Sequence, residues 1–295
     1  MSSWRAWVLA ARPPTLWAAV SPVLVGSALA VADDVFRPGV FAATLFAAIA
    51  LQVGVNFAND VSDAGRGADT AARIGPPRAV ATGLIPARAM WTGVWVAFGA
   101  AVAAGLYLTA VAGPVVVVIG VASIAAALAY TGGPLPYGYR GLGEVFVFLF
   151  FGLVATVGSR YVHDRTAPGD AWLLAIPVGL GITAILVANN IRDIASDMAA
   201  GKRTLAVMLG RQRTAILYGA LLGAAGVATI AFPVAGLVPG GAAWGLAVAP
   251  AAVLLARSVA VHTSGPELIG ALRGTARLQA AYGVLVAAGI ALPAL

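Results

Sequence analysis

The chain has 295 residues, 61% of them apolar and 10% charged, with no cysteine and two histidines. So little charge, against about 25% in an ordinary soluble domain, excludes a disordered chain and a conventional water-soluble enzyme, and the apolar share matches about nine spans of roughly 20 residues. Without cysteine there are no disulfides, thiolate zinc sites or iron–sulfur clusters, so oxygen must hold any metal, which points to a hard ion such as Mg2+. The net charge of +7 is read as a signal of membrane orientation, not of nucleic-acid binding.

The apolar runs fall at 15–32, 39–58, 87–109, 112–131, 143–162, 171–192, 213–235, 241–261 and 277–294. Runs this long, rich in Ala and Gly, predict helices packed through small residues, because backbone polar groups in lipid must pair within their own segment. The expected fold class is all-α, a polytopic membrane protein with about nine transmembrane helices, read as a single domain over 1–295. The first run follows Arg5 and Arg12 and is read as a retained helix and not as a cleaved signal.

An acidic stretch runs from the end of the second run into the connection before the third: Asn56, Asn59, Asp60, Asp63, Arg66, Asp69, Arg73 and Arg78. Asn56, Asp60 and Asp63 are spaced i, i+4 and i+7, which predicts one helix face. After the fourth run, Gly132-Gly133-Pro134-Leu135-Pro136 marks a turn, followed by Tyr137, Tyr139, Arg140 and Glu144 at the mouth of the fifth span. Glu144 at a membrane boundary needs a partner, expected to be Arg140 or another cation. His163, with Arg160, Asp164 and Arg165 at the other end of that span, is read as a solvated loop histidine. The sixth run ends in Asn189, Asn190, Arg192, Asp193, Asp197, Lys202 and Arg203, where Asn189, Asp193 and Asp197 again share a face.

Fifteen of the 18 Lys and Arg fall on the side of these acidic stretches, which makes that side cytoplasmic and, with nine spans, the C-terminus external. Carboxylates stacked one turn apart at a low-dielectric boundary repel each other unless divalent cations neutralise them. Two acidic faces opposed across a cavity, with Lys202, Arg203, Arg73 and Arg78 beside them, suit Mg2+ and a diphosphate. Phe57, Phe146, Phe148, Phe150, Phe151 and Tyr130 are candidates for an aromatic lining of such a cavity.

These motifs resemble the UbiA superfamily of intramembrane prenyltransferases. The family's Asn-Asp-x-x-Asp is matched by Asn59-Asp60-Val61-Ser62-Asp63, and its Asp-x-x-x-Asp with a following Gly-Lys by Asp193, Asp197 and Gly201-Lys202. The stretches Ala11–Leu16, Tyr130–Glu144, Asn189–Asp193 and Gly201–Leu205 are most similar to the branch that prenylates 1,4-dihydroxy-2-naphthoate in menaquinone synthesis. The resemblance implies a helix bundle around a central cavity in the plasma membrane, with the Asp motifs near a cytoplasmic cap. It implies Mg2+, as a pair, and a polyprenyl diphosphate whose allylic cation is attacked by an aromatic carboxylic acid, giving demethylmenaquinone with loss of the ring carboxylate.

Under this reading Asp60, Asp63, Asp193, Asp197 and Lys202 are catalytic, and Asn56, Asp69 and Asn189 join the four aspartates as metal ligands. Asn59, Arg66, Arg73, Arg78, Lys202 and Arg203 meet the diphosphate, and Tyr137, Tyr139, Arg140 and Glu144 the acceptor. Acids in a membrane chain also admit an ion-coupled transporter, although transport sites normally lie at the midplane and no inverted repeat is visible. Other acceptors of the superfamily, such as 4-hydroxybenzoate, homogentisate or a specialised phenolic scaffold, fit the same motifs. The sequence sets neither prenyl length nor oligomeric state.

Overall fold

The computed structural model describes residues 3–67, 75, 77–263 and 265–294, and among them it is all helix and connecting turns. In chain order the helices are α1 (Ser3–Ala11), α2 (Trp17–Ala32), α3 (Pro38–Gly65), α4 (Ala87–Ala112), α5 (Val115–Thr131), α6 (Gly143–Asp164), α7 (Gly169–Ala199), α8 (Leu205–Val234), α9 (Gly240–Val261) and α10 (Gly265–Ala291). Seven of the described helices are long and apolar enough to cross a bilayer. The pair α1–α2, bent by 50°, and the 17-residue α5 bring the apolar segments to about nine, so the molecule is a polytopic α-helical membrane protein.

The hydropathy pattern does not show α1 as separate from the first span. Arg12 sits in the left-handed region (φ 51°) ahead of Pro13 and Pro14. Proline lacks an N–H and keeps the residue before it out of the α region, so the helix stops here. Helix α1 then lies across α3 and α4, with Ala6 and Ala10 buried beside Phe57, Met90 and Phe98 while Trp4 faces outward.

Helix α7 is the axis of the bundle: 72% of its apolar stretch is buried, against 11% for α9. Val178 and Ile182 pack against Val25 and Leu29 of α2 and Val286 of α10, and Val187 and Ile191 pack against Tyr218 of α8 and Val259 of α9. Among these helices Tyr218 Oη and Thr275 Oγ1 are 2.6 Å apart, and Thr229 Oγ1 and Tyr282 Oη 2.9 Å apart, hydrogen bonds worth about 0.6 kcal/mol each in such bundles. Helix α6 widens into a π-helix over Phe148–Val154, where Gly152 meets Gly179 of α7 so closely that a Cβ on Gly152 would lie 2.6 Å from Gly179 Cα.

Helix α7 outruns its hydropathy, because its polar turns at the acidic end stay helical beyond the lipid-soluble stretch, whereas the first turns of α8 are set off from the rest by a kink at Gly210 (φ 75°, ψ 170°). Helix α7 ends where Gly201 takes a left-handed conformation (φ 70°) and the Lys202 N–H bonds the Asp197 carbonyl at 2.8 Å, a Schellman-type stop. Thr204 then caps α8 by accepting from the Val207 N–H at 3.3 Å.

At the opposite end, Arg160 is buried and bridges Asp33 (2.8 Å) and Asp164 (2.7 Å). His163 lies beside it and is buried, not solvated: its Nδ1 accepts from the Arg37 N–H at 3.1 Å and the Phe36 ring packs 5.3 Å away. Val40, Leu108, Ala112 and Val162 form a small apolar cluster at this end.

Candidate active site

A cavity of about 480 Å³ opens among α3, α4, α5, α6 and α7. From the acidic end it is lined by Asn56, Asn59 and Asp63 of α3, by Asn189, Asn190, Asp193 and Asp197 of α7, and by Arg12, Arg78, Lys202, Tyr137 and Tyr139. Its walls continue down through Val55, Ile124, Phe146, Phe150 and Ile182 as far as Leu108 and Val162. Val117 and Val121 of α5 line the cavity and are also exposed on the outside of the bundle.

Asp63 is the buried centre of the polar pole. It accepts from Tyr139 Oη at 2.7 Å and pairs with Arg78 at 3.3 Å and Lys202 Nζ at 3.1 Å. The same ammonium lies 4.0 Å from Asp197 and 4.7 Å from the Tyr139 ring centroid, so Lys202 links the two motifs. The stop at Gly201 and a bond from the Arg203 N–H to the Tyr139 carbonyl (3.0 Å) carry Lys202 back over the cavity.

Asp193 is held by its neighbour. Arg192 Nε and Nη2 lie 2.8 and 2.5 Å from its two oxygens, and Nη2 also donates to Asn189 Oδ1 at 2.9 Å. The Arg192 side chain is 1% exposed, so the pair compensates a charge that would otherwise be costly to bury. Arg192 is a site residue to which the sequence reading gives no role, although it stands inside the second acidic stretch. Its signal was the Asn-x-x-Arg-Asp spacing, which puts Asn189 and Arg192 one turn apart.

Other expected residues lie elsewhere. Asp60 does not line the cavity: its oxygens accept from the Ala79 and Val80 N–H groups at 3.1 and 2.9 Å, so it anchors the segment that follows α3. At about 100° per residue, Asp60 points roughly 60° away from the mean of Asn56, Asn59 and Asp63, which form the face turned to the cavity. Asn56 holds the α1–α2 joint, donating to the Ala11 carbonyl (2.8 Å) and Thr15 Oγ1 (3.1 Å), and Asn59 Oδ1 accepts from Thr131 Oγ1 at 3.0 Å.

Arg66 donates to the Thr131 and Gly133 carbonyls, bracing the turn after α5, with its guanidinium 5.5 Å from the Tyr139 ring. Arg203 and Arg140 are exposed and off the cavity wall. Glu144 is buried behind the wall. Its partner is not Arg140 but Asn190, whose Nδ2 donates to Oε1 at 2.9 Å, since Arg140 turns to the surface. Asp69 and Arg73 lie outside the described residues.

Among the described residues no three acids converge on one point. Mg2+ is commonly bound by one or two carboxylates together with substrate phosphate oxygens and water. Asp63, Asp193 and Asp197, with amide oxygens beside them, are a hard-oxygen donor set of that kind, and two cationic side chains share their pole, so the residues fit the metal. Below them an aromatic wall descends: Tyr130 edges onto Tyr137 (5.3 Å between centroids), Tyr137 stacks on Phe146 (4.0 Å) and Phe146 faces Phe150 (6.1 Å). Phe151 also lines the cavity, whereas Phe57 packs on Trp7 and Phe148 on Gly179. Burial pushes the Tyr137 phenol up, so it stays a neutral hydrogen-bond donor.

An acidic and basic pole closing one end of an apolar hollow inside a helix bundle defines an intramembrane enzyme for a substrate with an anionic head and a greasy tail. The chain belongs to the UbiA prenyltransferase family, whose pattern matches residues 19–267, and it is a prenyltransferase. It is 40% identical over 294 residues to the 1,4-dihydroxy-2-naphthoate octaprenyltransferase of Mycobacterium leprae, covering 99% of this chain and 98% of that one. Its fold is that of a UbiA homolog from Aeropyrum pernix (TM-score 0.72, 18% identity, 95% of this chain and 98% of that one). A UbiA homolog from Archaeoglobus fulgidus bound to GPP and Mg2+ shares it as well (TM-score 0.65, 12% identity, 96% and 99%).

Proposed function

We propose that the chain, acting as one domain, transfers a polyprenyl group from its diphosphate to 1,4-dihydroxy-2-naphthoate, giving demethylmenaquinol, the reduced form of demethylmenaquinone. The C1–oxygen bond of the donor breaks and diphosphate leaves. The ring carbon bearing the carboxylate bonds to C1, and carbon dioxide departs, its electron pair returning to the ring. The observation that carries this reading is Lys202 reaching Asp63 and Asp197 from the two motifs at the head of an apolar, aromatic-walled cavity. The naphthoate-specific name of a relative matched along nearly its whole length supports the acceptor.

Asp63, Asp193 and Asp197 would hold Mg2+, with Asn189 beside them. Bound there, the ion supplies positive charge opposite the departing diphosphate. Lys202 and Arg78 move from carboxylate toward phosphate oxygens, meeting the charge that grows as the C1–oxygen bond breaks. The walls around Phe146 and Phe150 hold the allylic cation and exclude the water that would quench it. The cavity edge at the exposed Val117 and Val121 of α5 would let a long tail pass into lipid without crossing water. The chain sits in the plasma membrane with the acidic end and N-terminus cytoplasmic and the C-terminus outside, as the distribution of Lys and Arg supports.

The test is direct. Purified protein in lipid nanodiscs is given Mg2+, octaprenyl diphosphate and a panel of hydroxy-aromatic acids, and the lipid products are identified by mass. The expected product is the decarboxylated octaprenyl naphthoquinol, lost with EDTA and restored by Mg2+. A product from 4-hydroxybenzoate or homogentisate alone would overturn the acceptor, and product formation in EDTA would overturn the metal.

A further inference from the structure

Asn190 stands one turn deeper in the membrane than Asp193, about 4.5 Å along the axis of α7. It lines the cavity and is 6% exposed. Its Nδ2 is engaged by Glu144 Oε1 at 2.9 Å, and a carboxyl oxygen in that position accepts, so the amide N–H must point back into the wall. The remaining group, Oδ1, is left on the cavity side, where no described residue donates to it.

Glu144 is 7% exposed and its other oxygen, Oε2, is buried without a hydrogen-bond partner. A carboxyl group cut off from water has nothing to exchange for the Asn190 amide, so that bond fixes the amide's orientation. Tyr130 and Phe146 line the same cavity, and both belong to the aromatic wall.

We propose that Asn190 is a specificity-determining residue whose Oδ1 accepts the hydrogen bond of the acceptor's C4 hydroxyl, the phenol remote from the carboxylate, and that Glu144 is the positioning residue that turns the amide to do so. This rests on the prenyl-transfer reading above and deepens it. The depth of Asn190 fits this role, because the polar pole takes the diphosphate and the ring that attacks C1 must lie just beneath it. An amide oxygen accepts from a hydroxyl and repels a carboxylate, so it selects the hydroxyl edge of the ring and not its acid group. Accepting that proton's hydrogen bond also pushes electron density into the ring, favouring attack on the cation.

The experiment measures steady-state constants for both substrates in nanodiscs, with 1,4-dihydroxy-2-naphthoate and with 1-hydroxy-2-naphthoate, which lacks one hydroxyl. Asn190→Leu and Asn190→Ser are expected to raise the acceptor KM about tenfold or more, the effect of losing one buried hydrogen bond. The prenyl diphosphate KM should stay within about twofold, and the preference for the dihydroxy compound should shrink. Glu144→Leu should reproduce this pattern, whereas Glu144→Gln, which keeps a carbonyl oxygen for the Asn190 amide, should stay near wild type. An unchanged acceptor KM in both Asn190 variants, an equal rise for the two substrates, or a Glu144→Gln enzyme as impaired as Glu144→Leu would overturn the assignment while leaving prenyl transfer standing. A wild-type enzyme that prenylates no member of the panel would overturn both.

Discussion

Arg192 puts two nitrogens on Asp193 and shares one of them with Asn189, an arrangement that still leaves lone pairs on both carboxylate oxygens. A guanidinium that orients a ligand from behind is an outer-shell partner of the kind whose loss costs about 10–100-fold in metal affinity. We expect Arg192→Gln to raise the Mg2+ half-saturation of prenyl transfer within that range, with a matching loss of Mn2+ binding by electron paramagnetic resonance. Arg192→Lys keeps the charge but not the fork and should fall between Gln and wild type. Asp63→Asn should lose more than either, since it removes a carboxylate from the pole itself. Unaltered Mn2+ binding in Arg192→Gln would remove Arg192 from the site. Sequence spacing alone draws attention to the aspartates, yet the residue that orients one of them is legible only as a charge, because which side of a helix a long side chain folds onto is decided by its neighbours.

Helix faces are less legible in the sequence than the helices themselves. The spacing of Asn56, Asp60 and Asp63 suggests one stripe, but the stripe that meets the cavity is Asn56, Asn59 and Asp63, and Asp60 turns to the backbone of Ala79 and Val80. Two amides directed at one carboxylate are the pattern of a loop anchor. Asp60→Asn, which offers one acceptor oxygen in place of two, is expected to speed limited proteolysis within 77–86 and lower the melting temperature. Its Mn2+ affinity should stay within about threefold of wild type. A loss of Mn2+ binding without faster cleavage would return Asp60 to the metal. Extended helix ends escape hydropathy for a related reason: α7 runs through Arg192, Asp193 and Asp197 to Ala199, where polar residues remain helical because they pair with one another. The break before α2 and the π-helix of α6 depend on a left-handed Arg12 and on a Gly152–Gly179 contact, neither of which is visible in apolar run lengths.

At the scale of the molecule, the sequence is most informative. About nine apolar segments, the all-helical class and the family are legible, because lipid permits few backbone solutions and the Asp motifs are specific. Orientation rests on charge alone and is testable in a chain without cysteine. Met198 is exposed at the acidic end, and Leu237 is exposed in the turn between α8 and α9. In intact cells a membrane-impermeant maleimide should label Leu237→Cys and spare Met198→Cys until the membrane is opened. The reverse pattern would invert the proposed topology.

The far end of the bundle bears on the membrane around it. The cavity walls extend from the aspartates of the polar pole to Val162, nearly the full depth of α6. Val40, Leu108 and Ala112 close around Val162, and behind them Arg160 is clamped between Asp33 and Asp164. A hollow of this depth without such a stopper would be a conduit for protons, dissipating the electrochemical gradient across the bilayer. Sealed by oil and backed by a fixed positive charge, the enzyme can keep a deep pocket in an energised bilayer without discharging it.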